Sequence, residues 1–316
     1  MAVREDEALQ VEDVSAMLGI GRNTVYALAK SGELASYRVG RKLRFTRTDV
    51  QRYIDASKTG GAKRVTAQAA PTSPLEAVPE LQSAPDAFVI SGSDIAGDVV
   101  AHALAIRNIS AQRSYLNSYL SLVDMYFGRS DAAVCHLFDR KTNSYNVPYV
   151  QRLLPGMPVV VVRLARRRVG MVVAKGNPKR MHSWGSLLTR NANVANVSAG
   201  SAMRVLLDEK LGELEARPET VAGYAREATS SESAAQFVAA GAADVALVSE
   251  WQAKQTKGVE FLPMQNEWID VVVRKTERTR PLVRAVKALS GDTRIRAELE
   301  ALGFDAERLG SIVYES

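Results

Sequence analysis

The chain has 316 residues, of which 46% are hydrophobic and 6% aromatic, and it carries a formal net charge of +6. This composition excludes a collagen, a wholly disordered chain and a small disulfide-built domain, and the length predicts about two domains. No apolar run approaches the roughly 20 residues of a membrane span, and the charged N-terminus lacks the apolar segment of a signal peptide. The sequence therefore predicts a cytoplasmic protein with no membrane partner.

The positive charge is concentrated near the N-terminus. Residues 1–66 carry 12 Lys and Arg against 8 Asp and Glu, and six of these cations lie between Lys30 and Arg47. This density favours contact with a polyanion, with a solvated basic surface as the alternative.

The first predicted elements are two short helices joined by a glycine-containing turn. Val11, Val14 and Leu18 share one helical face, Gly19–Gly21 ends that helix, and a second helix covers Arg22–Lys30. This pattern predicts a helix-turn-helix, whose second helix enters the major groove of DNA.

A basic hairpin follows, turning near Gly40-Arg41, and Thr46–Asp49 caps a further helix over Val50–Ala56. The region Leu9–Ala56 resembles the excisionase-type, MerR-like winged helix-turn-helix family. The matching stretches are Val14–Ile20, Thr24–Tyr26, Lys30–Leu34, Tyr37–Phe45 and Thr48–Val50.

This resemblance implies a recognition helix at Arg22–Lys30 and a wing at Arg38–Arg44 against the DNA backbone or minor groove. For Tyr26 and Tyr37, packing in the domain core is the alternative to DNA contact. The candidate DNA-binding residues are Arg22, Asn23, Thr24, Tyr26, Lys30, Arg38, Arg41, Lys42 and Arg44.

Residues 57–85 are rich in Pro, Ala, Ser and Thr and have no apolar periodicity, so they are interpreted as a linker between a DNA-binding domain at 1–56 and a second domain at 86–316. The second domain alternates apolar strands with amphipathic helices, which predicts an α/β fold. The strand candidates are Ala87–Ile90, Ala132–Leu137, Val159–Leu164, Gly170–Ala174, Val194–Asn196, Val245–Val248 and Trp268–Val273.

Small hydroxylated residues open three of the predicted helices in this domain. Backbone N–H groups at such starts can bind an anion or a polar ligand, although serine is also an ordinary helix cap. The ligand-binding candidates are Ser91, Ser93 and Asp94 after the first strand; Ser198, Gly200, Ser201 and Arg204; Thr229, Ser230 and Ser231; and His136 at a strand end.

The domain resembles a periplasmic-binding-protein-like sensor, related in plan to molybdate/tungstate-binding proteins and LysR-type effector domains. The best-matching stretches are Asp131–Asp139, Tyr145–Val150, Arg163–Arg166, Val172–Pro178 and Gly241–Ala246. The resemblance implies two lobes, one at about 86–165 and 268–316 and the other at about 166–267. The chain then crosses between them near Leu164–Val169 and Phe261–Asp270.

Several residues keep two interpretations. The family's Gly-Ser-Gly-Thr-Arg-like stretch reads Ala199–Arg204 here, with Met203 replacing threonine, so a larger or less polar ligand competes with a small oxyanion. Arg204 can pair with an anion or with Asp208 at i+4. His136 can face the cleft or the core.

The single cysteine, Cys135, is interpreted as a buried apolar residue in preference to a redox sensor. The run Arg166–Arg168, with Lys175, Lys179 and Arg180, is a second basic patch. A solvated face is its first interpretation, and a DNA contact or a funnel for an anionic ligand is the second.

No catalytic triad, phosphate-binding loop or metal-ligand spacing is present in the sequence, so we expect no catalytic residues, no metal and no cofactor. The leading interpretation is a ligand-responsive transcriptional regulator that binds double-stranded DNA and a small-molecule effector, and that forms a homodimer or higher homo-oligomer. An anionic effector, such as an oxyanion or a molybdenum-cofactor-related compound, is one expectation. The alternative is an excisionase-like architectural DNA-binding protein whose second domain mainly oligomerises; an enzyme using the cleft is the third hypothesis.

Overall fold

The computed structural model describes residues 9–18, 21–31, 34, 36–39, 42–50, 53 and 87–316. The chain divides into two compact units, Met1–Ala77 and Val78–Ser316. The predicted linker at 57–85 lies outside the described residues. In the described ranges, no helix is both long and apolar enough to span a membrane.

The N-terminal unit contains helices α1 (Val11–Leu18) and α2 (Arg22–Ser31) and a hairpin of β1 (Tyr37–Val39) and β2 (Lys42–Arg44). Backbone hydrogen bonds of 2.8 and 3.0 Å join Leu9 to Phe45, and a further helical turn begins at residue 47. The buried core is formed by Val11, Val14, Val25, Leu34, Phe45 and Val50. The predicted winged helix-turn-helix is confirmed.

The second unit is an α/β domain. Its strands are β3 (Phe88–Ser91), β4 (Ala111–Ser114), β5 (Ala132–Cys135), β6 (Phe138–Asp139), β7 (Ser144–Tyr145), β8 (Val159–Ala174), β9 (Val194–Val197), β10 (Glu227–Ala228), β11 (Val245–Ser249), β12 (Val259–Arg274) and β13 (Ile312–Glu315). Its helices are α3 (Ala96–Ala105), α4 (Ser118–Tyr126), α5 (Val147–Leu153), α6 (Ser186–Thr189), α7 (Ala202–Glu213), α8 (Ser231–Ala239), α9 (Glu250–Gln255), α10 (Arg280–Lys287) and α11 (Thr293–Ala301). Two short 3₁₀ turns lie at Pro218–Thr220 and Ala288–Gly291.

Two long antiparallel strands, β8 and β12, connect the two ends of this domain. The described strands form a sheet in the order β10-β9-β11-β8-β12-β5-β3-β4, and β13 pairs with β8. At one end β11 pairs with the second half of β8, and at the other end β5 pairs with the second half of β12. The middle of the β8–β12 pair is therefore the connection between two lobes, and we call it the crossing (residues 163–170 and 263–270).

Each lobe has its own apolar core. The lobe built on β9, β11 and helices α7 and α8 contains the cluster around Val172, Leu206 and Val248. The other lobe holds two clusters, one around Ile90 and Val271 and one around Leu122. Phe138 and Tyr145, on the β6–β7 hairpin, pack into the core of the β9–β11 lobe.

The predicted strands Val159–Leu164 and Gly170–Ala174 are one strand, and this is a correction. The segment between them contains three consecutive arginines and was expected to hold a crossing between the lobes near Leu164–Val169. In the structure each arginine has an acidic partner: Arg166 pairs with Asp305, Arg167 with Glu267, and Arg168 with Glu250. The strand continues through the run, where Arg166, Arg167 and Arg168 pair in register with residues 266–268 of β12.

Candidate ligand cavity and DNA-binding surface

A cavity of ≈ 410 Å³ lies between the lobes, and we call it the front cavity. Both lobes contribute to its wall, because the loops after β3, β9 and β10 all end there. The predicted ligand-binding residues that line it are Ser93, Asp94, His136, Ser198, Ser201, Thr229, Ser230 and Ser231.

Three helix N-termini adjoin the front cavity. Asn117 caps α4 by accepting a 2.9 Å hydrogen bond from the Leu120 N–H, and Ser230 caps α8 by accepting a 3.1 Å bond from the Ser233 N–H. Ser201 precedes α7 and its hydroxyl lies 3.1 Å from that of Ser198. Helix N-termini carry partial positive charge and offer N–H donors, so this wall favours the oxygen atoms of a ligand.

The lobes touch at one side of this cavity. The Tyr119 N–H donates to the Gly200 carbonyl at 3.1 Å, and Asn117 Nδ2 donates to the Ala199 carbonyl at 3.2 Å. Gly200 has φ +84°, and a Cβ there would lie 2.8 Å from Asn117 Oδ1. The contact between the lobes therefore depends on glycine at this position.

Arg113 holds the loop that carries Ser93 and Asp94. Its guanidinium donates to the carbonyls of Ile90 at 3.1 Å and Gly92 at 2.7 Å, and it also pairs with Asp98 at 3.0 Å. These bonds fix the backbone on which the two cavity residues stand.

A buried charged cluster forms one wall of the cavity. Arg167 Nη2 lies 2.7 Å from Asp94 Oδ2, and its Nε lies 2.6 Å from Glu267 Oε1. His136 Nδ1 is 3.0 Å from Glu267 Oε2, and its Nε2 is 3.6 Å from Asp94 Oδ2. Each of these side chains is at most 10% exposed. His136 therefore both faces the cavity and has a buried acidic partner.

The charges of this cluster stabilise one another. Burial by itself raises the pKa of Asp94 and Glu267, but the adjacent charges of Arg167 and His136 hold both pKa values below their usual range. Burial by itself lowers the pKa of Arg167, and the two carboxylates reverse this and raise it. The guanidinium charge is therefore already balanced inside the protein.

The front cavity consequently offers few positive charges to a ligand. Among the described residues that line it, Arg167 is the one Lys or Arg, whereas Asp94 and Glu232 are carboxylates. Glu232 also accepts a 2.7 Å hydrogen bond from Gln252. Apolar surface comes from Leu116, Leu120, Val197, Ala202 and Met203.

Three predicted ligand-binding residues do not line the cavity. Ser91 is buried behind it, where its hydroxyl donates to Ser121 at 3.0 Å, and Gly200 forms the contact between the lobes. Arg204 pairs with Asp208 at 3.4 Å and Glu227 at 3.2 Å. Of the two interpretations of Arg204, the structure shows the ion pair with Asp208 at i+4. The position of Arg204 on α7 directs its side chain towards Asp208 and Glu227.

Sequence reasoning missed several lining residues, among them Tyr115, Asn117, Arg167, Glu232 and Gln252. Asn117 had a usable signal, since it is a helix-capping residue before an apolar face. Arg167 belongs to the basic run Arg166–Arg168, for which a funnel for an anionic ligand was one interpretation, but nothing local indicated its acidic partners, which lie far away in the chain. Cys135 is buried, and this burial raises the pKa of its thiol, which agrees with the apolar interpretation.

The N-terminal unit presents part of the predicted DNA-binding set on its surface. Arg22 and Thr24 are exposed, Tyr26 is 54% exposed, and Arg22 pairs with Glu12 at 3.5 Å. Arg44 is half-buried on β2, and Tyr37 is exposed. Arg41 and the side chains of Asn23, Lys30, Arg38 and Lys42 lie outside the described part of the chain.

Comparisons with known proteins agree with this two-part architecture. A model of the PBP superfamily domain matches residues 101–290, and a helix-turn-helix domain model matches residues 8–58. The uncharacterized protein YvgK of Bacillus subtilis (strain 168) is 35% identical over 317 residues, which cover 99% of this chain and 100% of that protein. A probable excisionase of Saccharopolyspora erythraea is 47% identical over 45 residues, covering 14% of this chain and 46% of that protein.

Solved structures show the same fold at low sequence identity. An H2O2-bound mutant of Corynebacterium glutamicum OxyR is similar with a TM-score of 0.50 and 16% identity, covering 93% of this chain and 89% of that one. EhuB in complex with hydroxyectoine gives a TM-score of 0.51 and 13% identity, covering 72% and 91%. The chain belongs to the PBP superfamily and carries an excisionase-type helix-turn-helix DNA-binding domain before its two-lobed ligand-binding fold.

Proposed function

We propose that the protein is a cytoplasmic, ligand-responsive transcriptional regulator. Residues 1–56 bind double-stranded DNA, 57–85 are a linker, and 86–316 bind a small-molecule effector in the front cavity. The observation that carries this proposal is the meeting of hydroxyl-bearing helix starts from both lobes at one cavity, in a chain that also has a helix-turn-helix.

On the DNA side, α2 is the recognition helix and the β1–β2 hairpin is the wing. Thr24 and Tyr26 are exposed on α2 and are available to contact bases or phosphates. The basic residues of the predicted set neutralise phosphates, so affinity falls as salt concentration rises.

The effector we propose is an organic molecule with an oxygen-rich end. That end accepts hydrogen bonds from the serine and threonine hydroxyls and from the helix N-termini, while Leu120 and Met203 contact an apolar part. A bare multivalent oxyanion fits less well, because Arg204 is engaged elsewhere and the charge of Arg167 is balanced by two carboxylates.

Ligand binding and DNA binding are coupled through the lobes. A ligand that contacts both lobes stabilises the arrangement in which Tyr119 and Asn117 meet the 199–200 backbone. In a homodimer, the two recognition helices must match half-sites spaced by about 34 Å per DNA turn, so a change in dimer geometry alters DNA affinity.

The test uses the full-length protein and a fluorescent duplex from upstream of its own gene. We expect binding that weakens with salt, and a compound in a thermal-shift panel that both raises the Tm and changes the DNA affinity. Molybdate and tungstate form one arm of the panel, and hydroxylated carboxylic acids and polyols form the other.

A matched pair of variants locates the ligand. Thr229→Phe places a ring in the front cavity, and Thr293→Phe makes the same change at an exposed helix start outside it. We expect the first variant alone to lose the ligand-induced Tm shift. DNA binding that no compound alters would instead support the architectural function, and absence of DNA binding at low salt would refute both.

A further inference from the structure

A second cavity, of ≈ 370 Å³, lies against the crossing, and we call it the hinge cavity. Arg163 and Trp268 line it, whereas Arg167 lines the front cavity and pairs with Glu267. Successive residues of a strand point to opposite faces, so Glu267 and Trp268 of β12 serve different sides of the sheet. The two cavities therefore lie on opposite faces of the same two strands.

The charged side chains that line the hinge cavity are all positive, whereas those of the front cavity are of both signs. Its charged lining residues are Arg163 and Arg308, and no described carboxylate lines it. The guanidinium carbon of Arg163 lies 4.1 Å from the centroid of the Trp268 ring, and that of Arg308 lies 6.0 Å away. Side-chain amides of Gln265 and Asn266 complete a polar wall.

The positive charge in this region is only partly balanced. Arg163 pairs with the buried Asp270 at 2.9 Å, and Arg166, whose guanidinium also lies over Trp268, pairs with Asp305. Burial lowers the pKa of Arg163, and the nearby charge of Arg308 lowers it further while Asp270 opposes the change. Two arginines that repel each other across a polar cavity are stabilised by a shared anion.

We propose that the hinge cavity binds a small molecule through a carboxylate or phosphate group held between Arg163 and Arg308. The site is separate from the front cavity and, unlike it, has no carboxylate among its described lining residues. Its wall includes Tyr145, which packs in the core of the β9–β11 lobe, and Arg308, which belongs to the C-terminal segment of the other lobe. The wall of the hinge cavity therefore includes side chains that pack with each of the two lobes.

The experiment is calorimetric titration of the full chain at low salt, with citrate in one arm and inorganic phosphate in the other. Arg308→Gln removes a cation that lines the cavity, and Arg284→Gln makes the same change at an exposed position on α10. We expect at least one anion to bind. Arg308→Gln should raise its Kd about tenfold or more, and Arg284→Gln should raise it by less than about twofold. Binding by citrate alone assigns a carboxylate site, and binding by phosphate alone assigns a phosphate site.

The Thr229→Phe variant separates this site from the front cavity, and we expect it to bind the anion as the unmodified protein does. The proposal is overturned if neither anion binds, if Arg308→Gln binds as tightly as the unmodified chain, or if Thr229→Phe abolishes anion binding. Loss of effector binding in the front cavity leaves these three readouts unchanged, so the two proposals fail independently.

Discussion

Replacing Gly200 by alanine tests how the lobes meet, because the added methyl group would lie against Asn117. In Gly200→Ala the new Cβ lies 2.8 Å from Asn117 Oδ1, and the left-handed φ of +84° adds strain of about 1 kcal/mol. Moving Asn117 away costs its cap on α4 and its bond to Ala199, each worth about 1 kcal/mol. We expect a total loss of about 3 kcal/mol in the free energy of unfolding.

Gly156→Ala is the matched control, since Gly156 has φ +72° and no heavy atom within 4 Å of the added Cβ. It should lose only the backbone strain, about 1 kcal/mol. Urea unfolding followed by tryptophan fluorescence measures both variants, and we expect them to differ by about 2 kcal/mol. Equal losses in the two variants would refute the contact between Gly200 and Asn117.

Three further predictions concern charge. Arg167→Met removes the guanidinium between two buried carboxylates and leaves His136 as their remaining partner in the cluster. It should cost about 3–5 kcal/mol at neutral pH, and less in acid, by urea unfolding, and a loss below about 1 kcal/mol would contradict the cluster. Burial raises the pKa of Asp270 to about 6, above its ordinary 3.8. The protonated carboxyl therefore favours the folded state at low pH. Its contribution to the free energy of unfolding falls by up to about 3 kcal/mol as pH rises from about 4 to 6. The stability of the unmodified protein minus that of Asp270→Asn should fall over this range, and a flat difference would count against the raised pKa. Arg22→Gln should reduce the salt dependence of DNA binding by about one unit of slope, whereas Arg284→Gln should not; equal slopes would exclude Arg22 as a phosphate contact.

Part of the wall of the front cavity could be anticipated from the sequence. Serine-rich helix starts after apolar strands marked Ser93, Ser201 and Ser230 as ligand-binding candidates, and all three line the front cavity. The glycine-containing turn and basic hairpin likewise predicted the winged helix-turn-helix.

The charge of the cavity could not be predicted in the same way. Arg167 meets Asp94 and Glu267 only after three distant segments have folded together, and no periodicity links them. The anion-binding interpretation of Arg204 came from the resemblance of Ala199–Arg204 to the family's Gly-Ser-Gly-Thr-Arg-like stretch. In the structure Arg204 pairs with Asp208 and Glu227, and the distant Glu227 could not be predicted from the sequence.

The crossing also constrains how the two cavities affect each other. The β8–β12 pairing shifts register at Met264 of β12 and at Leu164 of β8, and such bulges are places where a strand bends. A rotation of one lobe that widens the space on one face of these strands narrows the space on the other face. A ligand that stabilises the narrow form of the front cavity therefore stabilises the wide form of the hinge cavity. It works against any ligand that binds the narrow form of the hinge cavity. If both proposed ligands favour the narrow forms, linkage requires that each lower the affinity for the other by the same factor.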